Sequence, residues 1–297
     1  DALRWYMLTN AQPWDNLRFD EAGVDEVRRK FFGTLYNTYS FFALYANVDG
    51  WQPGTGIARP QGTGSVSEID RWIVSLCNSL IRDVRAAYED YDITLAGRLI
   101  QTFVCDHLSN WYVRLNRKRF WGGGLTPDKI AAYETLYGTL KTVALLSAPI
   151  APFYSDELWR DLVPDAECIH FEAMPEADES LVDKDLEERM ALAQKATSLV
   201  LALRRKVNIK VRQPLAKMLI PVMSDKVRKQ LEDVKDLILS EVNVKEAEFL
   251  SDTTGIITKK IKPNFRVLGK KYGAQMKEIA AAFSRLDQAA ISAIQAS

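Results

Sequence analysis

Apolar residues return every three or four positions in one stretch after another of this chain, and that rhythm admits little but a helical bundle. Val24, Val27, Phe31, Leu35, Thr38, Phe42 and Tyr45 keep the spacing through one stretch, which predicts a helix over 21–48. Ile69, Trp72, Ile73, Leu76, Leu80, Val84, Ala87 and Tyr91 keep it through a second. Ala96, Ile100, Phe103, Val104, Leu108, Trp111 and Leu115 keep it through a third. Leu186, Met190, Ala193, Val200, Leu203 and Val207 fall on one side of a long helix over about 181–206. Residues at this spacing share one helix face, so each stretch has one side to bury.

Helix starts are written between these stripes. Ser65-Val66-Ser67-Glu68 fits a capping box, and Asp92 can cap the third helix. Thr126-Pro127-Asp128 supplies a cap, a proline at the first helical position and an acid in the first turn. That helix runs to about Ser147, where Pro149 and Pro152 break it before a short helix restarts. Five glycines and two prolines make 49–67 a loop, and 164–180 reads as a loop with one short extended piece, CIHF.

The rhythm then changes. LAKMLIPV (215–222), VNVKEAEFL (242–250) and GIITKKIKP (255–263) read as strands, with helices at 225–240 and 271–296. The expected fold class is mainly α: a helical bundle over 21–206 followed by a small α+β domain over 213–297, with 1–20 as a leading segment.

Charge sharpens the division. The 39 basic and 39 acidic residues cancel overall, but residues 1–203 hold 20 against 29 and residues 204–297 hold 19 against 10. A basic C-terminal part suits a polyanionic partner, and it equally suits attraction between the two halves. Ten acids and one lysine between Asp165 and Glu188 are a solvated face. No run approaches 18 apolar residues, so no membrane span is expected. The start, DALRWYMLTN, carries no secretory signal and no initiator methionine, and reads as the opening of a fragment. Cys77, Cys105 and Cys168 stand apart, and His107 and His170 are the only histidines, so no metal site is expected. Scattered cysteines suit a reducing compartment.

Cys105-Asp106-His107 offers a nucleophile beside a base, but successive helix residues point about 100° apart and cannot assemble one site. Gly122-Gly123-Gly124 lacks the spacing of a nucleotide loop and reads as a helix end with a turn. The segment before it, NWYVRLNRKRFW, is different. Asp106, Asn110, Arg114 and Arg117 fall on one strip of the helix, away from Trp111. Arg114, Arg117, Lys118 and Arg119 exceed the one or two cations that a helix end uses to complement its dipole. Phe120 and Trp121 follow, where bases could stack. A second basic cluster, RRKVNIKVRQPLAK, holds six cations and no acid, and a third, KKIKPNFRVLGKKYGAQMK, holds seven and no acid. Three such stretches, two with interleaved aromatics, fit an RNA-binding surface; plain solubility is the alternative.

LRWYMLTN, PWDNLRFD, LSAPIAPFYSDELW, NWYVRLNRKRFW, KVRQPL, SEVNVKEAEFL and KPNFRVLGKKYG together give the chain its likeness. It resembles the class I aminoacyl-tRNA synthetases, and among them the isoleucyl branch. The resemblance covers essentially the whole chain and implies an anticodon-binding helical bundle followed by a junction domain. It implies isoleucine tRNA as partner through the anticodon stem-loop, the family's own catalytic and editing domains as neighbours, a cytoplasmic setting, and neither membrane nor DNA. The expected tRNA contacts are Arg114, Arg117, Lys118, Arg119 and Trp121, flanked by Arg204, Arg205, Lys210 and Arg212; the resemblance supports these stretches and does not fix which side chain meets which base. The family's two ATP signatures, HIGH-like and KMSKS-like, occur nowhere here, and PVMSDK (221–226) is not one. ATP with magnesium is therefore implied for an intact enzyme, no cofactor and no activity for this stretch. The valyl enzyme, or a helical protein-interaction module that binds no RNA, are the readings left open.

Overall fold

The computed structural model describes residues 1–54, 67–222, 224–251, 263–284, 286, 290 and 291. The expected strand at 255–263 and most of the loop at 49–67 lie outside the described residues. The chain forms two compact units, Asp1–Lys195 and Ala196–Ser297.

The regular elements of the first unit, among the described residues, are all helices: α1 (Ala2–Asn10), α2 (Glu21–Val27), α3 (Gly33–Asp49), α4 (Glu68–Glu89), α5 (Ile93–Thr102), α6 (Arg114–Trp121), α7 (Pro127–Ser147), α8 (Pro152–Leu162) and the start of α9 (Lys184–Lys206). Two π-helical stretches, Arg28–Phe32 and Phe103–Val113, join α2 to α3 and α5 to α6 without a break. The caps act locally. Thr126 accepts the Lys129 N–H, and Asp92 accepts the Leu95 N–H. The cap of α4 is Ser67, which accepts from Asp70, so the start falls two residues later than a box opening at Ser65 would put it. CIHF is not extended: Ile169–Phe171 is a single 3-10 turn with Ile169 buried.

α4 lies at the centre, against α5 and α7. Trp72, Ile73, Val84, Ile100, Leu108, Leu136, Leu140 and Val143 are all essentially inaccessible. Each fully buried side chain of this size contributes roughly 1.5–3 kcal/mol. Residues 1–10 are fastened into this core. Trp5 stacks on Phe31 with centroids 4.1 Å apart, and Arg98 of α5 donates to the carbonyls of Thr9 and Asn10 at the end of α1. α1 comes so close to α5 that a Cβ on Gly97 would stand 2.5 Å from Thr9 Cγ2, a position only glycine fits.

α9 is anchored to α4 through Glu187. Its Oε1 accepts from Ser75 Oγ (2.6 Å) and Ser79 Oγ (2.7 Å), and its Oε2 from Lys184 Nζ (2.8 Å). Burial opposes the charge, but those donors outweigh it and hold the carboxyl below its ordinary value. A depressed carboxyl stabilises above the unfolded pKa, about 4.3, and that contribution is lost as pH falls through the folded value. Glu187→Gln should therefore separate from wild type in urea midpoint at pH 7, and the gap should narrow as pH falls to 3. An equal gap at both pH values would refute this.

The second unit contains the rest of α9, then β1 (Leu215–Pro221), α10 (Asp225–Asp233), α11 (Lys235–Val242), β2 (Val244–Leu250), α12 (Phe265–Tyr272) and α13 (Met276–Ser284). β1 and β2 pair in parallel, Leu215 with Val244 through Pro221 with Leu250, and α10 and α11 form the crossover. Two expectations shift here. The helix at 225–240 is broken at Val234, and helix begins again at Phe265 rather than at 271. In α9 the stripe reaches the core only through Ala193, since Leu203 and Val207 are each 62% exposed.

Candidate nucleic-acid interface

The helix that carries the basic segment changes its pitch. Over Phe103–Val113 the turn widens to π geometry, which advances the inward face. Tyr112, Asn116 and Phe120 then point inward, and Leu115, expected on the apolar stripe, is only partly covered. Asp106, Asn110, Arg114 and Arg117 remain exposed together, while Trp111 is buried beneath them. The Arg114 guanidinium sits 5.9 Å from the Trp111 ring centroid. Lys118 is exposed, and Trp121 is 58% exposed at the helix end. Among the described residues, the side chains of Arg117 and Lys118 make no ion pair.

Phe120 is not available for stacking with a base. It is buried between Phe41 (5.2 Å) and Tyr133 (5.1 Å). Arg119 likewise turns inward. Its Nη1 and Nη2 grip the two Asp70 carboxylate oxygens at 2.8 Å each, and Nε and Nη2 grip Asp128 at 2.9 and 2.7 Å. Nη1 also donates to Asn116 Oδ1 and Ser67 Oγ. Every guanidinium nitrogen is engaged, so no fork remains for a phosphate. Asp70 is wholly buried and also accepts from the Tyr112 hydroxyl at 2.7 Å. A buried carboxylate requires such a partner. The signal was present: Asp70 shares the core-facing spacing with Ile73 and Cys77, and an acid there demands a cation.

In the second unit Arg205, Lys210 and Arg212 are exposed and, among the described residues, form no side-chain ion pair. Arg204 is buried. It donates to the carbonyls of Lys210 (3.2 Å), Gln213 (3.0 Å) and Asn243 (2.9 Å), and so shapes the loop between α9 and β1. Lys217 pairs with Glu248 across the strands. The outward-facing candidates are thus Arg114, Arg117, Lys118 and Trp121 on α6, Arg205 in the last turn of α9, and Lys210 and Arg212 in the loop that leads to β1. Arg119 and Arg204 hold backbone and carboxylates inside.

Cys105 and His107 form no reactive pair. The Cys105 thiol faces the Lys30 carbonyl at 3.4 Å, and burial, with the Asp106 charge, pushes it up to about 11. A thiol so raised stays protonated at neutral pH. No cluster of metal-ligating side chains occurs among the described residues, and none of their helices is long and apolar enough to cross a membrane.

Cations gathered on one exposed helix face are the electrostatic footprint looked for in a nucleic-acid-binding protein. The model of the anticodon-binding domain of tRNA ligases matches residues 70–220, just over half of the chain, and the chain belongs to that family. Its relatives narrow the group. It is 56% identical over 300 residues to the isoleucine–tRNA ligase of Bacteroides fragilis, 55% over 295 residues to that of Porphyromonas gingivalis, and 43% over 294 residues to that of Clostridium novyi. These alignments cover 99%, 99% and 97% of the chain and 26%, 26% and 27% of the relatives. The chain therefore spans about a quarter of their length. A protein-interaction module without RNA binding is not favoured by these matches, and neither is the valyl enzyme.

Proposed function

We propose that this chain is the tRNA-reading part of an isoleucine–tRNA ligase and that it holds the anticodon stem-loop of isoleucine tRNA. The observation that carries the reading is the α6 surface. Arg117 and Lys118, which have no carboxylate partner among the described residues, stand with one exposed indole on a helix that also shows Arg114 to solvent and turns only Arg119 inward. Arg fits phosphate with a planar fork and Lys with a point charge, and an exposed indole stacks with unpaired bases. Arg205, Lys210 and Arg212 form a second set for the phosphate backbone.

The division of labour follows from the chemistry. Isoleucine and valine differ by one methylene, worth roughly 1–3 kcal/mol in a pocket. Reading the tRNA adds identity that the amino acid cannot supply. Joining isoleucine to the tRNA with ATP and magnesium belongs to the intact cytoplasmic enzyme, whose ATP signatures do not occur in these residues.

Titration of the purified chain with a panel of tRNAs tests the reading. Isoleucine tRNA should bind more tightly than valine and leucine tRNAs, with affinity falling steeply as salt rises. Equal binding of all tRNAs would remove the specificity, and no binding at about 50 mM salt would remove the reading. In the same protein, isoleucine-dependent exchange of pyrophosphate into ATP should stay at background.

A further inference from the structure

Lys129 occupies a place that is poor for a cation. It lies in the first turn of α7, where the positive end of the helix dipole repels it, and its side chain is only 3% exposed. Desolvating an ammonium is costly, and a well-packed apolar residue in place of such a pair is often neutral or better for stability. The charge nevertheless has three partners. Nζ donates to the Gly122 carbonyl at 2.6 Å, pairs with the carboxylate of Asp49 at the end of α3, and lies 6.0 Å from the Tyr133 ring centroid. Tyr133 donates its hydroxyl to the same Asp49 carboxylate. Burial opposes the charge on Asp49, yet the bonds from Lys129 and Tyr133 keep its carboxyl below the ordinary range.

What this ammonium holds is the residue after Trp121. Gly122 leaves the helix in extended form (φ −62°, ψ 147°), and Gly124 turns left-handed at φ +77°. Gly122 is itself exposed, yet its carbonyl is taken by a nearly buried ammonium. Trp121 is thus flanked by a fixed residue on either side, Phe120 in the core and Gly122 on Lys129, while its own ring is in solvent. Three glycines in a row would otherwise let the chain leave α6 in many directions.

We propose that the buried Lys129–Asp49 pair is a positioning device for the RNA interface, pinning the Gly122 carbonyl so that the end of α6 presents Trp121 in one preset direction. The inference rests on the RNA-binding reading above and names residues that do not themselves touch RNA. A preset ring loses less freedom on binding, so the device raises affinity while the set of groups touching RNA stays the same.

The test is the double variant Asp49→Asn/Lys129→Met, which removes both charges together and strands neither. Its melting temperature should match or exceed that of wild type. Its affinity for isoleucine tRNA should fall about tenfold as preorganisation is lost. The log–log salt slope should not change, because no cation facing phosphate is removed. Amide exchange across Gly122–Gly124 should accelerate without RNA. A folded double variant that binds like wild type overturns the proposal. Should it fail to fold, Gly124→Ala decides. No atom lies within 4 Å of the added Cβ, but φ +77° strains it, so the turn alone is perturbed. Gly124→Ala should lose affinity with the slope intact, and wild-type affinity overturns the proposal. Trp121→Ala separates the two readings. If wild type binds no tRNA, or Trp121→Ala binds as well as wild type, the interface reading fails and the positioning role falls with it. If Trp121→Ala weakens binding and the positioning variants do not, only the positioning role fails.

Discussion

Arg119→Leu is expected to lower the unfolding free energy by about 3–5 kcal/mol, because it leaves the Asp70 charge buried and uncompensated. Asp70 is fully enclosed, and without the guanidinium only the Tyr112 hydroxyl remains within hydrogen-bond distance of its carboxylate among the described residues. Typical domains have about 5–15 kcal/mol in total, so the change takes a large share. Two positions away, Arg117→Gln should cost no more than about 0.5 kcal/mol, as surface changes usually do. Asp70→Leu combined with Arg119→Leu should be more stable than Arg119→Leu alone, since the stranded charge is gone. Urea unfolding of the four proteins checks the set. Arg119→Leu unfolding at the same midpoint as Arg117→Gln would mean that the buried pair does not hold α4, α6 and α7 together.

The second large effect is on RNA binding. Trp121→Ala should weaken the complex with isoleucine tRNA by about 1–3 kcal/mol, the worth of one stacked base. Its salt slope should match that of wild type, since stacking releases no counterion. Arg117→Gln with Lys118→Gln should behave oppositely. Each cation withdrawn from a phosphate takes roughly 0.7–0.9 off the log–log slope, so the double variant should be flatter by about 1.5. Both proteins should melt like wild type, because these side chains are exposed and, for the two cations, unpaired among the described residues. A variant that melts early and binds normally would make this end of α6 a structural feature only.

Much of the fold was legible because its signals are local. Thr126 and Asp92 cap helices through their own side chains, and Pro149 and Pro152 stop and restart one by their rings; the start of α4 was found two residues early, because Ser67 rather than Ser65 is its cap. The apolar spacing found α4 and α5 because each has a face to bury, and the Thr126-Pro127-Asp128 start found α7. β1 and the start of the crossover helix at Ser224 were equally local. What failed depended on partners. CIHF has strand composition but, among the described residues, no neighbouring strand to pair with, and it turns instead. Leu203 and Val207 keep the helical spacing in α9 yet remain in solvent, since spacing names a face and not what covers it. The π-helical stretch at Phe103–Val113 leaves no mark in the residue types. It decided that Phe120 and Asn116, rather than Leu115, face the core.

The interface divides in the same way. The sequence by itself determined that cations and aromatics cluster before Gly122 and around 204–217, because charge and residue type are properties of the chain. It also determined the exposed strip of Asp106, Asn110, Arg114 and Arg117, which needs only a helix. Tertiary structure alone decided which cations face outward. Arg119 and Arg117 are the same residue type two positions apart. One meets Asp70 from α4 and Asp128 from α7, and the other meets solvent. Arg204 and Arg205 part in the same manner over the carbonyls of Lys210, Gln213 and Asn243. A guanidinium goes wherever its five donors find oxygens fixed at the right separation. Those oxygens come from segments tens of residues away, brought together by the packing of the core.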